Sequence, residues 1–388
     1  MQTNEVKISI IMPSLNVKEF ISQCIESVIN QTLTDIEIIC VDAGSNDGTL
    51  EILEKYCKKD SRIKILHSDK KSYGYQMNLA ISNACGQYIG IVETDDFIDE
   101  KMYETLYELT DNGTTDISKV NFYHYYGDDF KSDESKKNLP LEKFTVYDYP
   151  NILKGHPSIW AAIYKKSFLE ETNIKFMEAP GGGWVDNPFL FQTMLSAKSI
   201  TYKDEAFYYY RELNPNSSTN DMKDLTLAME RMMDNLDVLE DYSCDDERIL
   251  TELYIRIFWH INDILNKENF NQQKDEVLKY FYKVLIRLDE EIISNNFSLR
   301  NRKLYYKFSS PLHLYESNNN DEVTITKDEM DNILRENKFL YSEISRLESE
   351  NKKLKRKNKK LSNNNKKKES EKNSDSKLSK FVRKIKKH

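Results

Sequence analysis

The sequence lacks the long apolar segments of a membrane-spanning protein. Its 388 residues contain no apolar run of the roughly 18 residues that a transmembrane helix needs. The first residues, Met1 to Lys7, are polar and do not form a signal peptide, so we expect the protein to remain in the cytoplasm. The five cysteines are scattered without a CxxC pair, which argues against a disulfide framework and a structural zinc site.

Several common catalytic patterns are also missing. None of the six histidines belongs to a ligand cluster, and the sequence has neither a Ser/His/Asp arrangement nor a GxxxxGK phosphate loop. No GxGxxG motif follows the first predicted strand, which excludes a dinucleotide-dependent oxidoreductase.

Positive charge is scarce in most of the chain and concentrated at its end. The net charge is −8 overall, but residues 351–388 hold 17 basic and three acidic residues, a net charge of +14. The first 350 residues therefore carry −22. An acidic body with a basic tail indicates a charged partner for the tail alone, such as a membrane surface or a nucleic acid.

Short apolar runs alternate with helical patterns between residues 7 and 130. The predicted strands are Lys7–Met12, Ile36–Val41, Ile63–His67 and Tyr88–Val92. The predicted helices are Val17–Gln31, Leu50–Lys58 and Tyr75–Ala84. This alternation predicts an α/β fold with a parallel, doubly wound sheet, and such sheets bind ligands at the carboxyl ends of their strands.

The remainder of the chain has a different organisation. Residues 131–158 are predicted to form an irregular segment outside the sheet. Residues 179–183 (APGGG) are predicted to form a flexible loop, which either closes over a site or is a plain surface loop. Two or three amphipathic helices are predicted across 225–294, followed by a linker at 317–321.

A heptad pattern runs from Met330 to Leu361. The d positions are Ile333, Leu340, Leu347, Leu354 and Leu361, and several a positions are asparagine. Asparagine at a favours two parallel strands, so the pattern predicts a coiled coil that makes a homodimer. The alternative is a single solvated helix in a Lys/Asn-rich tract.

The last 13 residues, 376–388, place four apolar side chains on one helical stripe and basic residues on the other face. This pattern is typical of a helix that lies on an anionic membrane surface. The alternative is a solvated, disordered tail. Nucleic-acid binding is not expected, because the acidic body would oppose it.

Polar residues follow two of the predicted strands. Pro13 and Ser14 end the first strand, where a plain turn is the simplest interpretation. Asp42 follows the second strand directly, where a carboxylate can accept a hydrogen bond from a nucleobase or ribose. A turn with a helix cap explains the next residues, Asp47 and Thr49, but not Asp42.

Three carboxylates follow the fourth strand: Glu93, Asp95 and Asp96. Like charges this close repel one another unless a cation relieves them, and hard oxygen ligands suit Mg²⁺ or Mn²⁺ together with diphosphate oxygens. The alternative is an acidic helix cap, which Asp99 and Glu100 resemble more closely.

In this order, the motifs resemble those of the family 2 glycosyltransferases, inverting enzymes with the GT-A fold. The matching stretches are ISIIMPSLN, QTLTDIEIICVDAGSNDGT, GYQMNLAISNACGQYIGIVETDDF, WAAIYKKSFLEETNIKF and WVDNPFLF. The match covers roughly residues 5–215 and implies a GT-A domain over residues 1–215. The patterns described above predict a helical accessory region over 216–316, a coiled coil over 325–361 and a basic tail over 362–388.

The resemblance also implies roles for individual residues. Asp186 stands where the family places its catalytic base, and Asp95, with Glu93, stands at the metal-binding DxD motif. The residues that it implies for nucleotide-sugar binding are Pro13, Ser14, Asp42, Gln76, Asn78, Glu93, Thr94 and Asp95. Four residues depart from the family pattern: Leu15, Ala43, Met77 and Val185.

The implied activity is transfer of a sugar from a nucleotide sugar to a hydroxyl of a glycan or lipid-linked acceptor. A UDP-sugar is the expected donor. A metal neutralises the leaving diphosphate, and a carboxylate base takes the acceptor proton during one direct, inverting displacement. The alternative function is a non-catalytic coiled-coil scaffold built on a degenerate transferase domain. Localisation is expected in the cytoplasm, with the tail on the inner face of the membrane.

Overall fold

A computed structural model describes residues 5–214 and 223–310 of the chain. The predicted coiled coil (325–361), the basic tail (362–388) and the linker at 317–321 lie outside the described residues. The described residues from Glu5 to Ser309 belong to one compact unit. Within the described ranges, no helix is both long and apolar enough to cross a bilayer.

The described residues contain nine strands, which form one mixed sheet. They are β1 (Ile8–Ser14), β2 (Ile36–Asp42), β3 (Ile63–His67), β4 (Tyr88–Ile91), β5 (Phe97–Ile98), β6 (Ile117–Tyr125), β7 (Phe130–Ser132), β8 (Ala162–Lys165) and β9 (Ile200–Arg211). The spatial order is β3-β2-β1-β4-β8-β6-β9-β5, with β7 paired to β6. The first four strands run parallel, and β8 joins β4 in the antiparallel direction. All four strands predicted from the sequence are confirmed.

Between residues 5 and 214, all of them described, six α-helices accompany the sheet: α1 (Ile21–Ile29), α2 (Thr49–Cys57), α3 (Tyr73–Asn83), α4 (Met102–Glu108), α5 (Lys166–Glu171) and α6 (Asp186–Ser196). The three predicted helices are α1 to α3, with bounds that differ by a few residues. The α3 helix begins at Tyr73 because the Ser72 side chain accepts a hydrogen bond from the Tyr75 amide. A Cβ on Gly74 would lie 1.8 Å from the Met177 carbonyl oxygen, so this position requires glycine.

Five helices follow β9 in the described part of the chain: α7 (Leu227–Asp241), α8 (Glu247–Ile264), α9 (Phe270–Leu285), α10 (Glu290–Asn296) and α11 (Leu299–Phe308). Three of them, α7 to α9, lie within residues 225–294, where two or three helices were predicted. The short α10 begins near the end of that range, where Asp289 caps it by accepting hydrogen bonds from the amides of Glu291 and Ile292.

Candidate functional site

The carboxyl ends of the parallel strands bring the predicted motifs together. Ser14, the last residue of β1, pairs in register with Asp42, the last residue of β2. The acidic turn Glu93–Asp96 follows β4 on the other side of β1, and the Thr94 hydroxyl donates a 2.7 Å hydrogen bond to the Pro13 carbonyl. The site is therefore built at one sheet edge, where parallel strands place their ligands.

Asp42 has one carboxylate oxygen that is used and one that is not. Its side chain is buried, with 1% of its surface exposed. Oδ1 accepts hydrogen bonds from the amides of Gly44 (2.9 Å) and Ser45 (3.0 Å), in a turn that Gly44 makes with φ +82°. Oδ2 is buried and has no hydrogen-bond partner among the described residues. A buried acceptor without a partner is costly, so this atom suits a ligand that donates a hydrogen bond.

Three other predicted nucleotide-contact side chains hold the strand ends together. The Gln76 amide donates to the carbonyls of Ser14 (3.1 Å) and Val41 (2.7 Å). The Ser14 hydroxyl donates to the same Val41 carbonyl (3.3 Å), and Thr94 donates to Pro13 as described above. These contacts fix the edge on which a nucleotide would lie. Direct nucleotide contacts of Pro13, Ser14, Gln76 and Thr94 stay predictions.

Asn78 makes a two-point contact with a later segment. Its amide donates a 2.8 Å hydrogen bond to the Phe176 carbonyl, and its side-chain oxygen accepts one of 2.9 Å from the Phe176 amide. The side chain therefore anchors the segment that leads to the glycine-rich loop, and its predicted nucleotide contact stays a prediction.

The glycine-rich loop is tied to the start of α3. The Tyr73 amide donates to the Gly181 carbonyl, and the Gly181 amide donates to the Lys71 carbonyl, both at 2.9 Å. Gly181 adopts φ +72°, which glycine tolerates without strain. The sequence predicts a flexible loop here, and in the structure these two backbone hydrogen bonds hold the middle of the loop at the start of α3.

The surroundings of Glu93 disfavour its ionised form. The Tyr73 hydroxyl donates a 2.6 Å hydrogen bond to Glu93 Oε1. Burial raises the pKa of Glu93 to about 8, and the charges of Asp95 and Asp186 also raise it. The hydrogen bond from Tyr73 acts in the opposite direction and lowers this pKa. A nearby cation would reverse the effect, because it favours the ionised carboxylate.

Asp95 and Asp96 have different surroundings. Asp96 is buried, and its carboxylate accepts hydrogen bonds from the Tyr208 hydroxyl (2.8 Å) and the Arg211 amide (2.7 Å). Asp95 is half-buried; its carboxylate accepts a 2.8 Å hydrogen bond from the Asn214 amide. Asp96 is thus used to fasten the turn, and the metal contact of Asp95 stays a prediction.

Two residues of β9 and one that follows it hold this acidic turn, and the sequence did not predict them. The Tyr208 hydroxyl also accepts from the Glu93 amide (3.1 Å), and the Arg211 guanidinium donates to the Asp95 carbonyl (2.8 Å). Asn214 completes the set through Asp95. These residues lie more than 110 positions from the turn, and no local pattern marks them.

The described residues contain no group of three or more His, Cys, Asp or Glu side chains that could hold a metal by themselves. Magnesium-type sites with substrate diphosphate need only one or two protein carboxylates, because phosphate oxygens and water complete the shell. Asp95 and Glu93 supply two carboxylates on one turn. Burial, and after it the charges of Asp95 and Asp186, raise the pKa of Glu93, and a cation would favour its ionised form. The residues present therefore fit a divalent cation.

Asp186 is the first residue of α6. Its half-buried carboxyl accepts a 3.1 Å hydrogen bond from the Asn187 amide group. Burial raises the pKa of Asp186, while the charge of Arg256 acts in the opposite direction. Its charge in turn raises the pKa values of Glu93 and Tyr73, so Asp186 lies within electrostatic reach of the acidic turn.

Three of the four residues that depart from the family pattern are buried, and one is exposed. Met77 and Val185 are fully buried and pack in the core, and Ala43 is almost fully buried. Leu15 is exposed over 36% of its surface beside Asn16 and the β1 terminus. Positions 77 and 185 therefore contribute packing in this chain.

Comparison with known proteins agrees with this geometry. A family model described as "Glycosyl transferase family 2" matches residues 9–172. The uncharacterized glycosyltransferase EpsJ of Bacillus subtilis is 34% identical over 223 residues, which cover 55% of this chain and 62% of EpsJ. Glycosyltransferase GlyG of Streptococcus pneumoniae is 29% identical, over 53% of this chain and 70% of GlyG.

Among solved structures, TarS 1–349 of S. aureus in complex with UDP-GlcNAc has the same fold. The TM-score is 0.65 at 19% identity, and the match covers 80% of this chain and 89% of TarS 1–349. The family model and the relatives support a glycosyltransferase family 2 domain in this chain, and the likeness to TarS shows a GT-A-like α/β fold followed by helices. This chain spans about 60% of the length of several of its curated relatives, 62% in the case of EpsJ.

Proposed function

We propose that this chain, which carries a glycosyltransferase family 2 domain at residues 9–172, moves a sugar from a nucleotide diphosphate sugar to an acceptor hydroxyl with inversion. The observations that support the proposal concern three carboxylates. Asp42 offers an unpartnered oxygen, Asp95 lies on the acidic turn, and Asp186 lies within electrostatic reach of that turn.

The donor would be held first through Asp42. Its buried Oδ2 can accept a hydrogen bond from a base N–H or a ribose hydroxyl, and Oδ1 remains fixed by two backbone amides. A uracil ring offers such an N–H, and TarS, which shares this fold, is known in complex with UDP-GlcNAc. We therefore propose a UDP-sugar as the donor.

Asp95, together with Glu93, would hold Mg²⁺ or Mn²⁺ beside the donor diphosphate. When bound, the cation supplies charge neutralisation of the departing diphosphate. The protein's own contribution is to keep the turn in place. Tyr208 and Arg211 fasten it through Asp96 and the Asp95 carbonyl, and Asn214 orients the Asp95 carboxylate.

Asp186 would act as the base. A carboxylate here can take the proton from an acceptor hydroxyl while its oxygen attacks the anomeric carbon on the face opposite the diphosphate. This single displacement inverts the configuration and needs no covalent sugar intermediate. The Asn187 amide donates to the Asp186 carboxyl and fixes its orientation.

The acceptor, the assembly and the location are also proposals. We propose a glycan or lipid-linked acceptor, a homodimer formed by the coiled coil, and a cytoplasmic protein whose basic tail rests on an anionic membrane. The segments that would dimerise and bind lipid lie outside the described residues. Co-sedimentation with anionic vesicles, lost on deletion of 376–388, would support the membrane contact.

The test is release of UDP from a panel of UDP-sugars with and without Mn²⁺. We expect turnover of at least one donor in the presence of Mn²⁺, and loss of most turnover in Asp95→Asn, which is nearly isosteric but removes the charge. Asp128→Asn, at an exposed position between β6 and β7, is the matched control and should turn over normally. A folded Asp95→Asn protein with full turnover would contradict the metal assignment. No turnover of any UDP-sugar would contradict the proposed donor, and no turnover of GDP- and CDP-sugars as well would favour the scaffold function.

A further inference from the structure

Hydrogen bonds connect the helices after β9 to the proposed base. Arg256 lies on α8, and its Nη1 donates a 3.3 Å hydrogen bond to Asn187 Oδ1, while its Nη2 donates to the Leu153 carbonyl. Asn187 Nδ2 in turn donates a 3.1 Å hydrogen bond to Asp186 Oδ1. An uninterrupted chain of contacts therefore runs from α8 through Asn187 to Asp186.

This chain of contacts fixes the orientation of the Asn187 amide. The side chain of Asn187 is 2% exposed, so its amide has little choice of partners. A guanidinium only donates hydrogen bonds, so it holds the amide oxygen toward itself and leaves the NH₂ group for the carboxylate. Without Arg256, the amide could turn and present its oxygen to Asp186, where two acceptors would repel each other.

The charge of Arg256 acts on Asp186 as well. Burial lowers the pKa of Arg256 to about 10, so the guanidinium is still charged at neutral pH. Burial raises the pKa of Asp186, and the charge of Arg256 is the largest influence against that rise. The guanidinium therefore favours the ionised form of Asp186, which is the form that can accept a proton.

The far side of Arg256 is anchored in a loop that other cations also hold. Leu153 begins the segment 153–158, whose later carbonyls accept hydrogen bonds from two buried lysines. Lys136 Nζ donates to the His156 carbonyl at 2.8 Å, and Lys119 Nζ donates to the Ser158 carbonyl. Arg256 thus spans two fixed points, the loop and Asn187, and its position is set from both ends.

We propose that Arg256 is a positioning residue for sugar transfer: it orients Asn187 so that Asn187 holds the proposed base in its reactive position. The helices after β9 then form part of the catalytic unit, because one of them supplies this residue. The inference rests on the proposed function of Asp186 as the base.

The experiment compares full-length Arg256→Met and Arg256→Lys with the wild-type protein, using release of UDP from UDP-GlcNAc, or from the UDP-sugar that the wild type turns over. We expect Arg256→Met to lower kcat on the order of 10²-fold, since the base is misplaced, and to leave the KM for the donor unchanged. Arg256→Lys keeps the charge but cannot span both contacts, so its kcat should lie between those of the wild type and Arg256→Met.

The pH profile of kcat separates positioning from a general loss of structure. Asp186 is also faced by Glu93, Tyr73 and Tyr164, which every variant retains. The acidic limb should move to higher pH in Arg256→Met and stay near the wild-type position in Arg256→Lys. Arg248→Met is the control, because Arg248 lies on the same helix at an exposed position and contacts Asp246 and Tyr147.

A double substitution tests the chain of contacts. Asn187→Ala and Arg256→Met should each lower kcat, and the double variant should be no slower than the slower single variant, because both act through one hydrogen-bond chain. If Arg256→Met does not unfold cooperatively, Arg256→Lys and Asn187→Ala decide the question.

Three results would overturn the inference. The first is a folded Arg256→Met protein with wild-type kcat and pH profile, measured alongside an inactive Asp186→Asn protein. This result would leave the proposed function of Asp186 unchanged. The second is a raised KM for the donor with unchanged kcat, which would make Arg256 a donor contact. The third is wild-type turnover of Asp186→Asn, which would remove the proposed base itself.

Discussion

Asn214 Nδ2 lies 2.8 Å from Asp95 Oδ2, and this hydrogen bond joins residues that are 119 positions apart in the sequence. It connects the end of β9 to the acid that would hold the metal. One carboxylate oxygen of Asp95 is thereby oriented by the protein, and the carboxylate is held ready for a cation.

The first prediction concerns this hydrogen bond. We expect Asn214→Ala to raise the Mn²⁺ concentration for half-maximal UDP release by about 10-fold or more, because partners of metal-binding carboxylates typically contribute that much to metal affinity. The measurement is a Mn²⁺ titration at saturating donor. Asn266→Ala, at an exposed position on the loop after α8, is the control, and an unchanged titration for Asn214→Ala would contradict the role of Asn214.

The second prediction concerns Asp42. In Asp42→Asn the amide oxygen can still accept from Gly44 and Ser45, so the turn should keep its structure. An NH₂ group would replace the unpartnered Oδ2 and would face the donor group of the ligand. We expect UDP affinity to fall by at least about 10-fold, measured by calorimetry, since a buried site with mismatched polar groups discriminates strongly. Wild-type UDP affinity in this variant would place the nucleotide elsewhere.

The third prediction concerns pH and stability. His124 contacts two carboxylates: its Nδ1 is 2.5 Å from Glu212 and its Nε2 is 3.2 Å from Asp133. Hydrogen bonds to Asp133 and Glu212 raise its pKa from 6.5 to about 9. The stabilisation is therefore complete below about pH 6.5 and is lost as pH rises through about 9.

We expect His124→Gln to lower the free energy of unfolding at pH 6 and to have a smaller effect at pH 9.5. Urea unfolding at the two pH values measures the difference. An equal loss at both values would mean that the charge of His124 does not stabilise the ends of β6 and β9.

The fourth prediction concerns assembly. A chain that ends at Asn320 lacks all the heptads but keeps the compact unit, whose described residues end at Ser309. We expect it to be monomeric in light scattering and to retain UDP release, whereas the full chain should be dimeric. A truncated chain that remains dimeric would place the interface elsewhere.

Much of the sheet could be predicted from the sequence because its central strands are buried on both faces. Runs such as ISIIM and IEIICV contain few polar residues, so their type is clear from composition alone. Their ends are less clear, since β1 continues two residues past the predicted end at Met12. The positions of Asp42 and of the acids after β4 follow directly, because a parallel sheet collects strand ends at one edge.

The partners of those acids could not be predicted in the same way. Tyr208, Arg211 and Asn214 reach the acidic turn through β9, which joins the sheet beside β6, far from β4 in the sequence. Arg256 reaches Asn187 from α8, and a helical pattern shows only which face of α8 is apolar. Long-range pairs of this kind depend on the packing of elements, which no single-sequence pattern records.

The central claim is that Asp186 is the base of a sugar transfer, and one pair of measurements on Asp186→Asn tests it most directly. Binding of UDP and turnover of the UDP-sugar are measured on the same preparation. Because the base contacts the acceptor, we predict wild-type UDP affinity together with a loss of turnover of about 10²- to 10⁴-fold. Retained turnover, or a loss of binding that matches the loss of turnover, would contradict the account.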